Sequence, residues 1–178
     1  MSADAEKPMS KSIFIAALKR LNELITEPVV LIAGGGGAMI LAHNYPLATS
    51  DLDAIPKSLS PDAIDPMVKQ IAKEMQLPAD WLNPYFSTFT HTLPSDYGSR
   101  LISVFKGTRL EVLALGREDL LIMKCFAGRA KDVAHARALI KAGADTEFVE
   151  DHIETLKKKR IPGADKALDY LDEILGES

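Results

Sequence analysis

The apolar residues in the first half of the chain alternate between helical and strand spacing. SKSIFIAALKRLNELI repeats apolar residues at helical intervals and predicts a helix over residues 11–25. PVVLIAG is a short β-branched run between Pro28 and Gly34, which is typical of a buried strand. GAMILAHN then predicts a short apolar helix, and DLDAI predicts a second strand.

The middle of the chain combines a helix, an irregular segment and a hairpin. SPDAIDPMVKQIAKEMQ predicts a helix capped by Ser60 with Pro61 at its first position. Because Pro66 lies too deep for a first turn, the helix could instead begin one turn later. The segment at 77–98 is irregular, with one candidate strand at 86–90, and RLISVFKGTRLEVLAL predicts a hairpin turning at Lys106 and Gly107.

The last third is helical. REDLLIMKCFAGRAKDVAHARALIKAG predicts one helix ending at Gly143, TEFVEDHIETLKKKR a helix capped by Thr146, and GADKALDYLDEIL an amphipathic helix. The order α-β-α-β-α-β-β followed by helices predicts an α+β fold with a mixed sheet. We expect residues 1–10 to be disordered, 11–116 to form the core, and 117–178 to form a helical region packed on it.

Composition narrows the class of protein. The chain has 178 residues, of which 47% are apolar and 26% charged, so it can bury a core without disulfide staples. The net charge of −4 disfavours general nucleic-acid binding but leaves a local basic patch open. Cys125 is the only cysteine, which excludes a disulfide framework and a Cys-based zinc site. No apolar run is long enough to span a bilayer, so we expect a cytoplasmic protein without a membrane partner.

The glycine run in AGGGGAM joins the first strand to the second helix. Unpaired N–H groups at a helix N-terminus bind phosphate, and glycines let the phosphate approach the backbone. A dinucleotide-binding fingerprint fails because Met39 stands where its third glycine belongs, and no Walker A Gly-Lys-Ser/Thr follows. Taken alone, the run equally suits a tight turn that packs helix on strand.

Asp51 and Asp53 favour the phosphate interpretation. Residues two apart on a strand face the same way, with Cα atoms roughly 6.5–7 Å apart, so two carboxylates can hold one Mg²⁺ ion. The alternative is a solvated acidic turn. Asp is disfavoured inside strands, which makes two of them in SDLDAI a sign of function.

These motifs resemble the signature of the DNA polymerase β-like nucleotidyltransferase superfamily. The resemblance is closer to minimal bacterial nucleotidyltransferases near the abortive-infection (AbiEii-like) toxins, and LPADWLN around Trp81 and Asn83 is similar to an uncharacterised branch of that group. The glycine part of the signature is matched by Gly35, Gly36 and Ala38, and the acidic part by Thr49, Asp51 and Asp53. EDLLIMKCFAGRAKD matches the late helix of the group through Glu118, Asp119, Leu120, Lys124, Ala127, Arg129, Lys131 and Asp132.

The resemblance implies a nucleotidyltransferase fold and a catalytic site with three carboxylates on Mg²⁺. Asp51 and Asp53 supply two, and the best candidate for the third, which would also act as general base, is Glu111. Alternation places Glu111 on one strand face with Leu113, where an acid is costly unless it is paired or metal-bound. The alternative is an ion pair of Glu111 with Arg100 or Arg109.

The resemblance also implies a nucleotide-binding set. Lys124 and Lys131 are seven residues apart and would share a helix face, with Gly128 between them. The alternative is a solvated helix face on which Asp132 neutralises a neighbour. The nucleotide-binding candidates are Gly35, Gly36, Thr49, Lys124, Arg129 and Lys131.

Two functions follow from the resemblance. The first is Mg²⁺-dependent transfer of a nucleoside monophosphate from a nucleoside triphosphate to a hydroxyl of an RNA (such as tRNA) or of a protein, in a toxin–antitoxin pair with an antitoxin partner. The second is a catalytically inactive relative that binds a nucleotide or a protein. Leu47 stands where such sequences often carry arginine, which favours the second.

Overall fold

The computed structural model describes residues 9–46, 49, 51–83 and 90–176. The chain forms two compact units, which we call the sheet unit, within Met1–Ser87 and Leu101–Ala114, and the helical unit, within Thr88–Arg100 and Leu115–Ser178. The segment that enters the hairpin therefore belongs with the C-terminal helices, although it lies among the strands in sequence. Leu47 and most of the candidate strand at 86–90 fall outside the described residues.

The sheet unit contains the alternating elements that the apolar pattern predicts. Its helices and strands are α1 (Lys11–Leu24), β1 (Val29–Gly34), α2 (Gly35–His43), β2 (Leu52–Pro56), α3 (Asp65–Met75), β3 (Leu82–Asn83), β4 (Ile102–Lys106) and β5 (Leu110–Ala114). Ser10 caps α1, since its hydroxyl accepts the N–H of Ile13 at 3.5 Å. A 3₁₀ turn at Pro61–Ala63 precedes α3, which confirms the later of the two predicted helix starts.

The five strands found in the described part of the chain form one mixed sheet in the order β3-β2-β1-β5-β4. β1 is parallel to β5 and antiparallel to β2, β2 is parallel to β3, and β4 is antiparallel to β5. The predicted α+β class and mixed sheet are confirmed. β3 has only two residues and was not predicted.

The two faces of the sheet differ in burial. One face is fully buried and presents Leu31, Ala33, Leu52, Ala54 and Val112. Along β2 and β5 the other face is half-buried, and it carries Asp53, Ile55, Glu111 and Leu113. The alternation predicted for β5 is therefore confirmed. The acidic residues of β2 and β5, Asp53 and Glu111, therefore lie on the half-buried face.

The helical unit breaks a helix that the sequence predicts as continuous. Its helices are α4 (Arg117–Ala127), α5 (Val133–Lys141), α6 (Thr146–Lys158) and α7 (Ala164–Gly176). Gly128 takes a left-handed φ of 60° and ends α4, and a 3₁₀ turn at Ala130–Asp132 leads into α5. The prediction of one helix to Gly143 is thus wrong, because the apolar period continues across a glycine whose left-handed conformation ends the helix.

A second local prediction is also wrong. The N-cap of α6 is Asp145, whose Oδ1 accepts the N–H of Phe148 at 3.1 Å, and Thr146 is the first helical residue. Both residue types cap helices, so sequence alone did not separate them. No helix within residues 9–46, 51–83 and 90–176 is long and apolar enough to cross a membrane.

Candidate active site

A glycine turn joins β1 to α2. Gly34 ends the strand in an extended conformation, and Gly35 takes a φ of +63°, which L side chains rarely adopt. A Cβ atom at Gly35 would collide with Asp53 Oδ2, and one at Gly36 would lie 3.0 Å from Thr49 Oγ1. The glycines are therefore required by the close approach of two polar side chains to the N-terminus of α2.

The strand register brings Asp53 to this turn. Asp53 on β2 pairs with Gly34 at the end of β1, so its carboxylate lies beside the first turn of α2. Asp51 lies one residue before β2, two residues from Asp53, and both are half-buried. The structure thus brings Gly35, Gly36 and the two aspartates together.

The side chain of Thr49 faces Gly36, and its backbone forms hydrogen bonds with Met9. The backbone of Met9 donates to the Thr49 carbonyl at 2.7 Å and accepts from the Thr49 N–H at 3.3 Å. Met9 is fully buried. Met9 and Ser10, which the sequence assigned to a disordered segment, are therefore ordered, and residues 1–8 of that segment lie outside the described residues.

Asn83 is a polar residue of this cluster that sequence reasoning did not select as a site residue. It pairs with Asp53 in the register of β2 and β3, and its Nδ2 donates to Asp51 Oδ2 at 2.6 Å. Trp81 anchors β3, because it is fully buried and its Nε1 donates to the Val68 carbonyl at 2.9 Å. The only sequence signal for Asn83 was its place in LPADWLN.

Glu111 lies on the same half-buried face but far from the aspartates. It pairs with Val30, four residues before Gly34 on β1, and β5 and β2 flank β1 on opposite sides. Strand spacing puts the Glu111 and Asp53 Cα atoms about 13 Å apart along the strands and about 10 Å apart across them. The structure therefore does not bring Glu111, the predicted third carboxylate, to Asp51 and Asp53.

Arg100 and Arg109, the two predicted ion-pair partners of Glu111, bond to other groups. Across the hairpin Glu111 pairs in register with Lys106. Arg100 binds Asp119 through two bonds of 2.9 and 2.8 Å, and Arg109 donates to the Ile25 carbonyl at 3.4 Å.

The donor set at the glycine turn suits magnesium. Mg²⁺ takes oxygen ligands and is commonly held by one or two carboxylates together with substrate phosphates. Asp51 and Asp53 supply those carboxylates next to a helix N-terminus. Within the part of the chain that the structure describes, no group of three or more His, Cys, Asp and Glu residues is placed to hold a metal.

Lys124 of the helical unit is buried in an ion pair. It is 4% exposed, and its Nζ lies 2.9 Å from Oδ1 of Asp132, which is 2% exposed. Arg129 donates to the other oxygen of Asp132, and His135 Nδ1 lies 3.8 Å from the first. Burial opposes ionisation of Asp132, but the neighbouring side chains of His135, Arg129 and Lys124 outweigh it and hold the pKa of Asp132 well below the usual range.

The pairing of Lys124 with Asp132 ties the end of α4 to the start of α5. Lys131 is exposed and lies in the 3₁₀ turn, so it does not continue the helical face of Lys124. Roles of Lys124, Arg129 and Lys131 in nucleotide binding stay predictions.

A mixed sheet in which a glycine turn opens a helix, and in which an Asp-x-Asp pair lies at the start of the neighbouring strand, is consistent with the nucleotidyltransferase fold. The chain belongs to the family described as nucleotidyltransferase of unknown function (DUF6036), whose model matches residues 13–161. Comparison with curated proteins and with solved structures gave no match. The closer resemblance to AbiEii-like toxins stays a prediction.

Proposed function

We propose that this chain is a Mg²⁺-dependent nucleotidyltransferase that transfers a nucleoside monophosphate from a nucleoside triphosphate to a hydroxyl group. One observation carries the proposal: the Asp53 carboxylate lies against Gly35 at the N-terminus of the nine-residue helix α2. A phosphate bound by the helix N-terminus would therefore lie next to a carboxylate, and two anions that close require a cation between them.

The residues of the glycine turn would bind the substrate. The N–H groups of the first turn of α2 and the positive end of its dipole favour phosphate oxygens, and Gly35 and Gly36 leave room for them. Thr49, whose Oγ1 faces Gly36, would offer a hydroxyl to the same phosphates. Asp51 and Asp53 would hold Mg²⁺, which when bound supplies charge neutralisation and orientation of the phosphate oxygens.

The transfer step forms one bond and breaks one. The hydroxyl oxygen of the acceptor forms a bond to the α-phosphorus, and the bond from that phosphorus to the oxygen bridging to the β-phosphate breaks. Pyrophosphate leaves with the electron pair of the broken bond, and the hydroxyl proton passes to solvent. The chain's own contribution is to bind the triphosphate and orient it in line with the acceptor.

The acceptor and the setting rest on the resemblance. We place the acceptor hydroxyl on an RNA, such as tRNA, or on a protein, and the chain in a toxin–antitoxin pair. We also propose that the reaction takes place in the cytoplasm.

A second candidate function is a nucleotide- or protein-binding module without transferase activity. The observation that favours it is the carboxylate pair, because the register leaves Glu111 far from Asp51 and Asp53. The two functions share nucleotide binding and differ in pyrophosphate release.

Calorimetric titration tests the proposal. Each of the four nucleoside triphosphates is titrated with and without Mg²⁺ into the wild type and into the double variant Asp51→Asn/Asp53→Asn. The matched control is Asp62→Asn/Asp65→Asn, which removes the same charge from the 3₁₀ turn and first turn of α3 in the same unit. We expect Mg²⁺-dependent binding of at least one triphosphate, lost in the double variant and kept in the control.

A coupled assay of pyrophosphate release, with total RNA or protein as acceptor, separates the two functions. Binding with pyrophosphate release supports the transferase. Binding without release on any acceptor supports the binding module. If the wild type binds no triphosphate, or if the double variant binds as well as the wild type, the metal site proposed at Asp51 and Asp53 is wrong.

A further inference from the structure

We propose that Asn83 is a positioning residue that orients the Asp51 carboxylate for metal binding. This inference rests on the proposed function, since it assigns a role at the same site. Its basis is the 2.6 Å hydrogen bond from Asn83 Nδ2 to Asp51 Oδ2. The bond links β3 to the segment that enters β2.

Strand register explains why Asn83 reaches Asp51. Leu52 pairs with Leu82 and Asp53 pairs with Asn83, so Asn83 shares a sheet face with Asp53 and is a diagonal neighbour of Asp51. Asp51 itself lies one residue before the first pair of this ladder. The Asn83 side chain therefore fixes a carboxylate at the point where the strand begins.

β3 is anchored by its buried neighbours although it has only two residues. Trp81 beside it is fully buried, donates from Nε1 to the Val68 carbonyl, and accepts the Leu52 N–H on its own carbonyl at 2.6 Å. Leu82 is 6% exposed. The buried Trp81 and Leu82 and the bond from Leu52 thus anchor the backbone that leads into Asn83, so that its amide can hold Asp51.

The chemistry of the bond favours a role in metal binding. An amide N–H to a carboxylate is a charge-assisted hydrogen bond, and it occupies Oδ2 of Asp51. Asp51 would then present its carboxylate to the metal in the orientation that this bond fixes. Hydrogen-bond partners of ligating carboxylates typically contribute about 10–100-fold to metal affinity.

The test measures binding of Mn²⁺ alone, through the electron paramagnetic resonance signal of the free ion. Asn83→Ala removes the donor, and we expect it to raise the Mn²⁺ dissociation constant by about 10–100-fold. Asn83→Gln retains an amide donor and should recover much of that loss. The matched control is Gln70→Ala, which removes another amide–carboxylate bond of the sheet unit, from Gln70 Nε2 to Glu74 Oε1 at 2.9 Å.

The outcomes separate this inference from the proposed function. If Asp51→Asn/Asp53→Asn abolishes Mn²⁺ binding while Asn83→Ala binds within twofold of the wild type, Asn83 does not position Asp51 and the metal site stands. If the wild type itself binds no Mn²⁺ at the double-aspartate site, the proposed function fails as well. Urea unfolding of each variant identifies a loss of fold. Should Asn83→Ala not fold, Asn83→Ser replaces it, and an unchanged dissociation constant in that variant overturns the inference.

Discussion

The carboxylate of Asp53 fills the space that a side chain at residue 35 would need. This contact joins the glycine turn after β1 to the acidic strand β2, because Gly34 and Asp53 are register partners. Position 35 therefore requires glycine for two reasons: its φ is +63°, and a side chain there would collide with the Asp53 carboxylate. Phosphate binding at the helix and metal binding at the aspartates would depend on the same contact.

Gly35→Ala should disrupt this contact. A left-handed φ costs a non-glycine residue about 1–2 kcal/mol, and the new Cβ would also displace the Asp53 carboxylate. We expect the free energy of unfolding to fall by about that amount or more, and nucleotide affinity to fall with it. Urea unfolding and calorimetry measure the two effects.

Gly98→Ala is the control for this substitution, because a Cβ at Gly98 would meet nothing within 4 Å. It should change the free energy of unfolding by less than about 0.5 kcal/mol. A Gly35→Ala variant as stable and as tightly binding as Gly98→Ala would show that the Gly35–Asp53 contact has no functional role.

The parts of the site that are encoded locally could be predicted from the sequence. The period-two pattern of DLDAI and the glycines before an apolar helix depend on neighbouring residues only. The Asn83 contact could not be predicted, since a two-residue strand carries no periodicity and its pairing with β2 is a tertiary contact. The strand face of Glu111 could be predicted, because alternation is a local pattern. Its distance from Asp53 could not be predicted, because it depends on the register of β5 against β1.

The break between α4 and α5, in the helical unit, likewise could not be predicted from the sequence. The apolar period runs on from Ile122 and Cys125 to Ala136 and Leu139, all of which are buried, and so predicts one helix. A left-handed Gly128 and the buried Lys124–Asp132 pair end the helix instead. Apolar periodicity indicates which residues are buried but not where a helix ends. In the sequence, only Gly128 indicated the break.

Glu111→Gln should leave metal binding unchanged. The register separates its Cα from that of Asp53 by about 13 Å along the strands, which is too far for a shared ion. We expect the Mn²⁺ dissociation constant of Glu111→Gln to stay within twofold of the wild type, while Asp53→Asn alone raises it at least tenfold. A loss in Glu111→Gln equal to that in Asp53→Asn would return Glu111 to the site as its third carboxylate.

Lys124→Met should destabilise the protein strongly. It leaves Asp132 buried with one fewer cation, and breaking a buried ion pair costs about 3–5 kcal/mol. Because Arg129 still donates to Asp132, we expect a loss near the lower end, about 3 kcal/mol, in urea unfolding.

Lys157→Met is the matched control, since Lys157 pairs with Asp165 at 3.3 Å on the surface of the same unit. An exposed pair contributes less than about 1 kcal/mol. Equal losses in the two variants would mean that burial adds nothing to the Lys124–Asp132 pair.

Stability should decrease at alkaline pH through the buried Cys125 thiol. Burial raises the pKa of Cys125 to about 12 from an ordinary value of 9.0, so the folded state keeps a proton that the unfolded chain loses between these values. The folded state then binds more protons than the unfolded state, and the free energy of unfolding falls as pH rises, by up to about 1.4 kcal/mol per pH unit. Burial and the charge of Asp132 likewise raise the pKa of Tyr170 to about 12, which acts in the same direction.

Urea unfolding of the wild type and of Cys125→Ala at pH 8, 9.5 and 11 measures the slope. Cys125→Ala should show a shallower slope, and identical slopes would show that the thiol is not protected by the fold.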